Sequence, residues 1–307
     1  MANVTINDLT AASALAGADL FAVWQGGATK KATLTQVLAG VGGGSLDGFT
    51  TATGTAVGDT ALDSVTTGEE NVAVGFAALT ASTDGWDNVA VGHHAMTANV
   101  DGAANVAVGA YALAAGASAD QNVAVGFEAL FGASIGDHNV GVGLGALKVA
   151  SGNAQTAVGT RSLTACTTGT RNTATGYQAL LALTTGNDNT AFGHSAGSAV
   201  TTGLRQTAVG VSAGSGATQR NDTVALGYQA LVDANDTVAV GSGAQALHAN
   251  GVALGKGIVT TAVNQVMIGP NDLEITATAK GVVLKSPDGT RYRIQVANGG
   301  ALSTVAA

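Results

Sequence analysis

Four carboxylates, Glu69, Asp84, Asp87 and Asp101, fall close together in this chain. Paired carboxylates are what cleavage of a glycosidic bond requires, one as acid and the other as base or nucleophile. His93 and His94, with Met96 just beyond, put two imidazoles and a thioether where a transition metal could be held. Gly141-Val-Gly-Leu-Gly145 has the glycine spacing of a phosphate-binding loop. Each has a plainer reading. The carboxylates sit in polar turns and read as solvated charges. His93 occupies a place that other segments give to Phe76, Phe127, Tyr177 or Tyr228, so it reads as turn packing. The glycine run lacks the Lys-Ser/Thr that completes a phosphate loop. No Ser, His and Asp set stands at hydrolase spacing. The single cysteine, Cys166, excludes an intrachain disulfide and a cysteine metal site. The expectation is a chain that is not an enzyme, with no catalytic residue, no metal and no cofactor.

The elements that carry these residues follow from a repeat. Fourteen glycines, from Gly58 and Gly75 to Gly255 and Gly269, recur in steps of 17, then 14, with a single step of 16 between Gly143 and Gly159. Each closes the phrase Asn-Val/Thr-Ala-Val-Gly or a close variant. A fixed period with a fixed phrase means units that stack on their neighbours. With the glycine as position 0, position −1 is mostly Val, position −3 is Val or Thr, and position −2 is Ala in 12 of 14 units. Side chains alternate across a strand, so one face is valine and the other alanine. The expectation is that valine fills the coil interior. The alanine face, at Ala73, Ala90, Ala107, Ala124, Ala157, Ala174, Ala191 and Ala208, would then need cover from another chain. Position −4 is Asn or Gln in 10 units, which suits a hydrogen-bonded amide ladder. Position +4 is usually Leu and reads as part of a second, shorter strand. The repeat glycine suits a bend with positive φ or a close backbone approach. Fourteen coils at a strand spacing of ~4.8 Å give a rod of roughly 65 Å.

Composition agrees. The 307 residues include 45 glycines and 2 prolines, with 4% aromatic and 10% charged residues, so the interior must be thin and built of small side chains. Net charge is −8, and residues 32 to 147 contain no Lys or Arg, which leaves no basic face for nucleic acid. No apolar run is long enough for a membrane-spanning helix, and no signal pattern opens the chain. Three segments emerge. Residues 1–48 hold two strands, Leu20 to Trp24 and Ala28 to Thr33, then a glycine-rich linker from Gly40. Residues 49–270 are the repeat shaft. Residues 271–307 read as a β cap, with strands at Leu273 to Ala279, Gly281 to Lys285 and Tyr292 to Ala297.

The 14-residue units, such as Thr-Val-Ala-Val-Gly-Ser-Gly-Ala (237 to 244), resemble the head repeats of trimeric autotransporter adhesins. The 17-residue units, such as Asn-Thr-Ala-Thr-Gly-Tyr-Gln-Ala-Leu (172 to 180), are similar to repeats of bacteriophage fibres. So are the N-terminal run from Ile6 to Leu34 and Gly281 to Ile294 near the C-terminus. The resemblance implies an all-β, left-handed parallel β-roll (a β-solenoid) of about 14 coils, assembled as a homotrimer. The chain shows none of the secretion signal, stalk and anchor of an autotransporter, which favours a phage virion fibre assembled in the host cytoplasm. The resemblance makes the N-terminal segment, with Leu20, Phe21, Val23 and Trp24, the virion anchor. It would bind other virion proteins of the tail or the portal and collar. A host polysaccharide or protein is the expected distal partner, with neither nucleic acid nor membrane insertion. Candidate receptor contacts are the large or basic residues that break the small-residue grammar: Trp86, Tyr111, Phe131, Tyr177, Tyr228, Arg291 and Arg293. The alternatives are that Tyr177 and Tyr228 cover a coil edge, and that the two arginines pair with Asp288 or Asp272. A head or collar fibre, a bacterial adhesin and a polysaccharide-degrading tailspike are the other function classes this pattern admits.

Overall fold

The computed structural model describes residues 20–25, 28–33, 54–132, 135–216, 219–269, 283–285, 291–296 and 302–306, with side chains in the three stretches between 54 and 269. The described residues contain strands and turns and no helix. Fourteen short strands form one sheet, from Gly54–Val57 and Asn71–Val74 to Val252–Leu254 and Val266–Ile268. They bound about 12 turns of a parallel β-solenoid. Neighbours pair in parallel and in register, so that Ala73 lies opposite Ala90, Ala90 opposite Ala107, and Ala107 opposite Ala124.

Each strand ends at the repeat glycine for a steric reason. Gly75 has φ 131°, and a Cβ there would lie 2.6 Å from the carbonyl oxygen of Gly92 in the next coil. Past the glycine the chain turns tightly through left-handed residues at +2 and +4, as at Ala77 (φ 51°) and Leu79 (φ 53°). The Ala77 N–H donates to Asp59 O of the preceding coil and the Leu79 N–H to Ala95 O of the following one, both at 2.9 Å. A left-handed non-glycine residue costs about 1–2 kcal/mol. The inter-coil bonds that repeat at every level offset that strain. The second strand expected here forms only where the coils shorten, as Leu231–Val232 beside Gln245–Ala246. In the 17-residue coils the positive φ at +4 is incompatible with an extended strand.

The valine and alanine faces are reversed from the sequence expectation. The alanines expected between chains, Ala73, Ala90, Ala107, Ala124, Ala157, Ala174, Ala191 and Ala208, are at most 4% exposed within a single chain. They line the coil interior with Leu79, Leu113, Leu130, Leu147, Leu163 and Leu180 of the +4 column, all fully buried or nearly so. The leucines take the space. At Gly141, which replaces the alanine, an added Cβ would lie 3.2 Å from Leu130 Cγ and 3.3 Å from Ala146 O. Even a methyl group is tight there and a valine has no room, so valine faces outward.

The amide ladder forms as expected. Asn105 Nδ2 donates to Asn88 Oδ1 (3.0 Å) and to Ala119 O (2.6 Å), and Asn105 Oδ1 accepts the Asn122 N–H (2.9 Å). Asn71, Asn88, Asn105, Asn122 and Asn139 have no exposed surface. Asn105→Ala should lower stability by about 2–4 kcal/mol in chemical denaturation. The change strands the Asn122 N–H and removes a donor from Ala119 O, at about 1–3 kcal/mol for each orphaned group. A loss within experimental error would show that the ladder is incidental.

Ahead of the solenoid, Leu20–Gln25 and Ala28–Thr33 make an antiparallel hairpin with Gln25 opposite Ala28. Near the C-terminus, Val283–Lys285, Arg291–Val296 and Leu302–Ala306 form a separate antiparallel sheet. Its last strand is absent from the sequence expectation, although the Asn298-Gly299-Gly300 turn signal precedes it. The expected strand at Leu273 to Ala279 and the glycine-rich linker from Gly40 to Gly48 lie outside the described residues.

Candidate functional site

The outward columns at −3 and −1 give the sheet a continuous Val/Thr surface. Val57 (49%), Val108, Val158, Val209 and Phe192 (60%) are exposed, and Val72, Val74, Val89, Val91, Val106 and Val123 are half-buried. Beside this face runs the +1 column, where Phe76, Phe127, Leu144, Tyr177, Val211 and Tyr228 are also exposed. The sequence distinguishes these columns as a valine face but not as an outer one. The signal for the outer placement is the recurrent leucine at +4, which already fills the interior.

Among the receptor candidates, Tyr111 and Phe131 belong to one aromatic cluster, with ring centroids 6.3 Å apart. His93 stacks on Phe76 at 5.5 Å and 17°, and His94 stacks on Tyr111 at 5.3 Å and 10°. The two imidazoles are 4.2 Å apart, edge to face. Lys148 closes the cluster, its Nζ 5.8 Å from the Phe131 ring and 2.7 Å from Glu128 Oε2. Tyr177 stacks on His194 at 5.1 Å in another part of the shaft. Rings that stack from coil to coil cover one another's faces, so this edge is better suited to apolar contact than to sugar stacking. Trp86, 54% exposed, belongs to a different column, at −6. Tyr228 extends the exposed +1 column. The side chains of Leu20, Phe21, Val23, Trp24, Arg291 and Arg293 lie outside the described residues.

The other chemical candidates fall into the repeat. Asp84 Oδ1 accepts from the Thr67 hydroxyl at 2.6 Å, a turn contact between coils. Gly141 sits inside the coil on the strand Val140–Val142. Cys166 is buried, its thiol 3.3 Å from Gln155 Oε1, and burial pushes its pKa up. Among the described residues, no three of His, Cys, Asp and Glu converge as metal ligands, and no helix is long and apolar enough to cross a membrane.

Electrostatics vary along the −5 column. Arg171 donates to Asp188 through Nε (2.6 Å) and Nη2 (3.0 Å), and Arg205 donates to Asp222 in the same way at 2.6 and 2.7 Å. The guanidinium of Arg171 holds Asp188 below its usual pKa. Near the start of the shaft the same column stacks Glu70 on Asp87. A shared hydrogen bond with Asp87, and the charge of Asp87, raise the Glu70 carboxyl above its ordinary 4.5. For an acid with a raised folded-state pKa, the folded state is favoured when the group is protonated. The repulsion is therefore absent below the unfolded value and appears as pH rises through the folded one. Glu70→Gln should melt at a higher temperature than the native chain at pH 7, with the difference vanishing below about pH 4. A gap that persists unchanged at low pH would assign the effect to something other than this pair.

No protein-family model, no curated protein and no solved structure matches the chain.

Proposed function

We propose that this chain is the subunit of a trimeric bacteriophage virion fibre, most plainly a tail fibre, that helps the particle contact its host. The observation that carries this is the outward valine face. Fourteen strands at ~4.8 Å, each contributing about 10 Å of width, make a largely apolar Val/Thr strip on the order of 650 Å². A soluble monomer rarely leaves a contiguous patch of more than a few hundred Å² exposed. A strip that repeats with the coil matches another strip with the same repeat, so a further copy of this chain is the natural cover. Three left-handed rolls packed by these faces would make a rigid shaft. The N-terminal hairpin would dock onto the tail, or onto the portal and collar. The role is mechanical and adhesive rather than catalytic, and the protein belongs to the virion. The resemblance of residues 6 to 34 and 281 to 294 to phage fibre segments supports the virion attribution.

Light scattering on the full chain should give three times the chain's mass. Antibodies against residues 54 to 132 should label projections on virions in electron micrographs. A folded monomer would overturn the trimer, and unlabelled virions would overturn the location.

A further inference from the structure

Within the 17-residue part of the repeat, from Gly58 to Gly227, the spacing fails once, between Gly143 and Gly159. In neighbouring coils a turn glycine follows the repeat glycine by 10 residues, as Gly169 follows Gly159; Gly152 follows Gly143 by 9. The omitted residue corresponds to Thr168 in the next coil. There, the N–H groups of Thr167, Thr168 and Gly169 all donate to Thr184 O. In the short coil, Ser151 directs both its N–H, at 2.6 Å, and its hydroxyl to Thr167 O. The place above Thr168 is left without a residue. The result is a solvent-open cleft of about 460 Å³, lined by Ser151, Asn153, Ala154, Thr168, Thr170 and Arg171 among others. That lies within the roughly 300–1,000 Å³ of small-molecule sites.

Its polar groups are sorted by their partners. The Thr170 hydroxyl and N–H both donate to Asn187 Oδ1, at 3.0 and 2.7 Å. Asn153 Oδ1 accepts the Asp137 N–H at 3.0 Å. Arg171 is held through Nε and Nη2 by Asp188. These contacts hold Thr170, Asn153 and Arg171 and leave the Asn153 amide nitrogen and Arg171 Nη1, beside the exposed Thr168 hydroxyl, for a ligand. Preorganised donors of this kind lose little entropy on binding. Asp188 already compensates the Arg171 charge, Asp137 is adjacent, and the chain carries −8, so an anion is disfavoured. Hydroxyl oxygens, which both accept and donate, suit the set.

We infer that this cleft is a subsite for a neutral sugar residue of a surface polysaccharide; the inference rests on the host-contact role proposed above. Isothermal titration and saturation-transfer NMR on the full chain would use isomaltotriose, mannobiose and galactobiose as neutral probes and digalacturonate as the anionic one. At least one neutral probe should bind saturably. Inserting a threonine between Ser151 and Gly152 restores the regular spacing, fills the cleft and removes no side chain. It should weaken binding by about tenfold or more, as should Thr168→Ala, with melting temperature and mass by light scattering unchanged. Binding that survives both changes, a preference for digalacturonate, or no binding of any neutral probe would overturn the assignment. The mass measurement stands apart from these outcomes, so failure of the subsite is distinguishable from failure of the trimer.

Discussion

Ala107→Asp should abolish the fold of the shaft around residues 90 to 125, and not merely dissociate its copies. Ala107 has no exposed surface and lies in register between Ala90 and Ala124. By the repeat it faces Met96 and Ala112, both fully buried. A carboxylate there would be unpaired in an apolar interior, and uncompensated buried charges cost about 3–5 kcal/mol even after relaxation. A domain's whole stability is about 5–15 kcal/mol. In a solenoid each coil is supported only by its neighbours, so one broken level exposes two more. Residues 32 to 147 contain no Lys or Arg, which makes trypsin blind to this region. Proteinase K should cut the variant there and spare the native shaft, with a matching loss of sheet signal in circular dichroism. Ala107→Gly should survive, since Gly141 occupies the same place in its own coil. If Ala107→Asp remained folded and became monomeric, the alanine column would be an intersubunit surface after all.

Much of this architecture is legible in the sequence because the repeat glycine and the −4 amide each have one physical use. Gly75 and Gly92 stand where a Cβ would strike the next coil, and Asn88 and Asn105 stand where the buried backbone N–H groups of Asn105 and Asn122 need an acceptor. The hairpin at Leu20–Gln25 and Ala28–Thr33 is legible from its paired turn glycines. The facing of the strands is not. Alternation says that valine and alanine lie on opposite faces, but which face is inside depends on the width of the coil. The fully buried Leu79 and Leu113 across the interior set that width. Hydrophobicity alone points to valine as the core residue. Steric room reverses the choice, as Gly141 against Leu130 demonstrates. The left-handed +2 and +4 residues are hidden for a related reason: leucine at positive φ is strained by itself, and only the coil-to-coil hydrogen bonds sustain it. The cleft at Thr168 is visible in the sequence only as an irregular step in the glycine spacing, and its chemistry needs the neighbouring coils in place.

The reversed facing relocates the test of assembly to the valines. The double variant Val106→Lys and Val108→Lys should give a folded, soluble monomer. Both residues face outward on the strand Val106–Val108, half-buried and exposed respectively in the single chain. Lysine at these places keeps its ammonium in water in the monomer, and its stem can lie along the apolar strip. Sheet content and interior packing should therefore persist, because Ala107 between them is untouched. In a closed trimer the same two positions recur on every subunit, so six ammonium groups would be desolvated at one level, close to their own kind. Each desolvated, unpaired charge costs several kcal/mol. Symmetry multiplies that penalty, even though the two substitutions alter a single strand of each subunit. A weakening of association by at least about a thousandfold is expected, corresponding to about 4 kcal/mol. Light scattering should report a single chain mass where the proposed trimer gives three, with an unchanged circular dichroism spectrum. If the double variant still assembles as the native chain does, the copies do not meet through this sheet face, and the exposed +1 column of Phe76, Phe127 and Tyr177 becomes the surface to alter next.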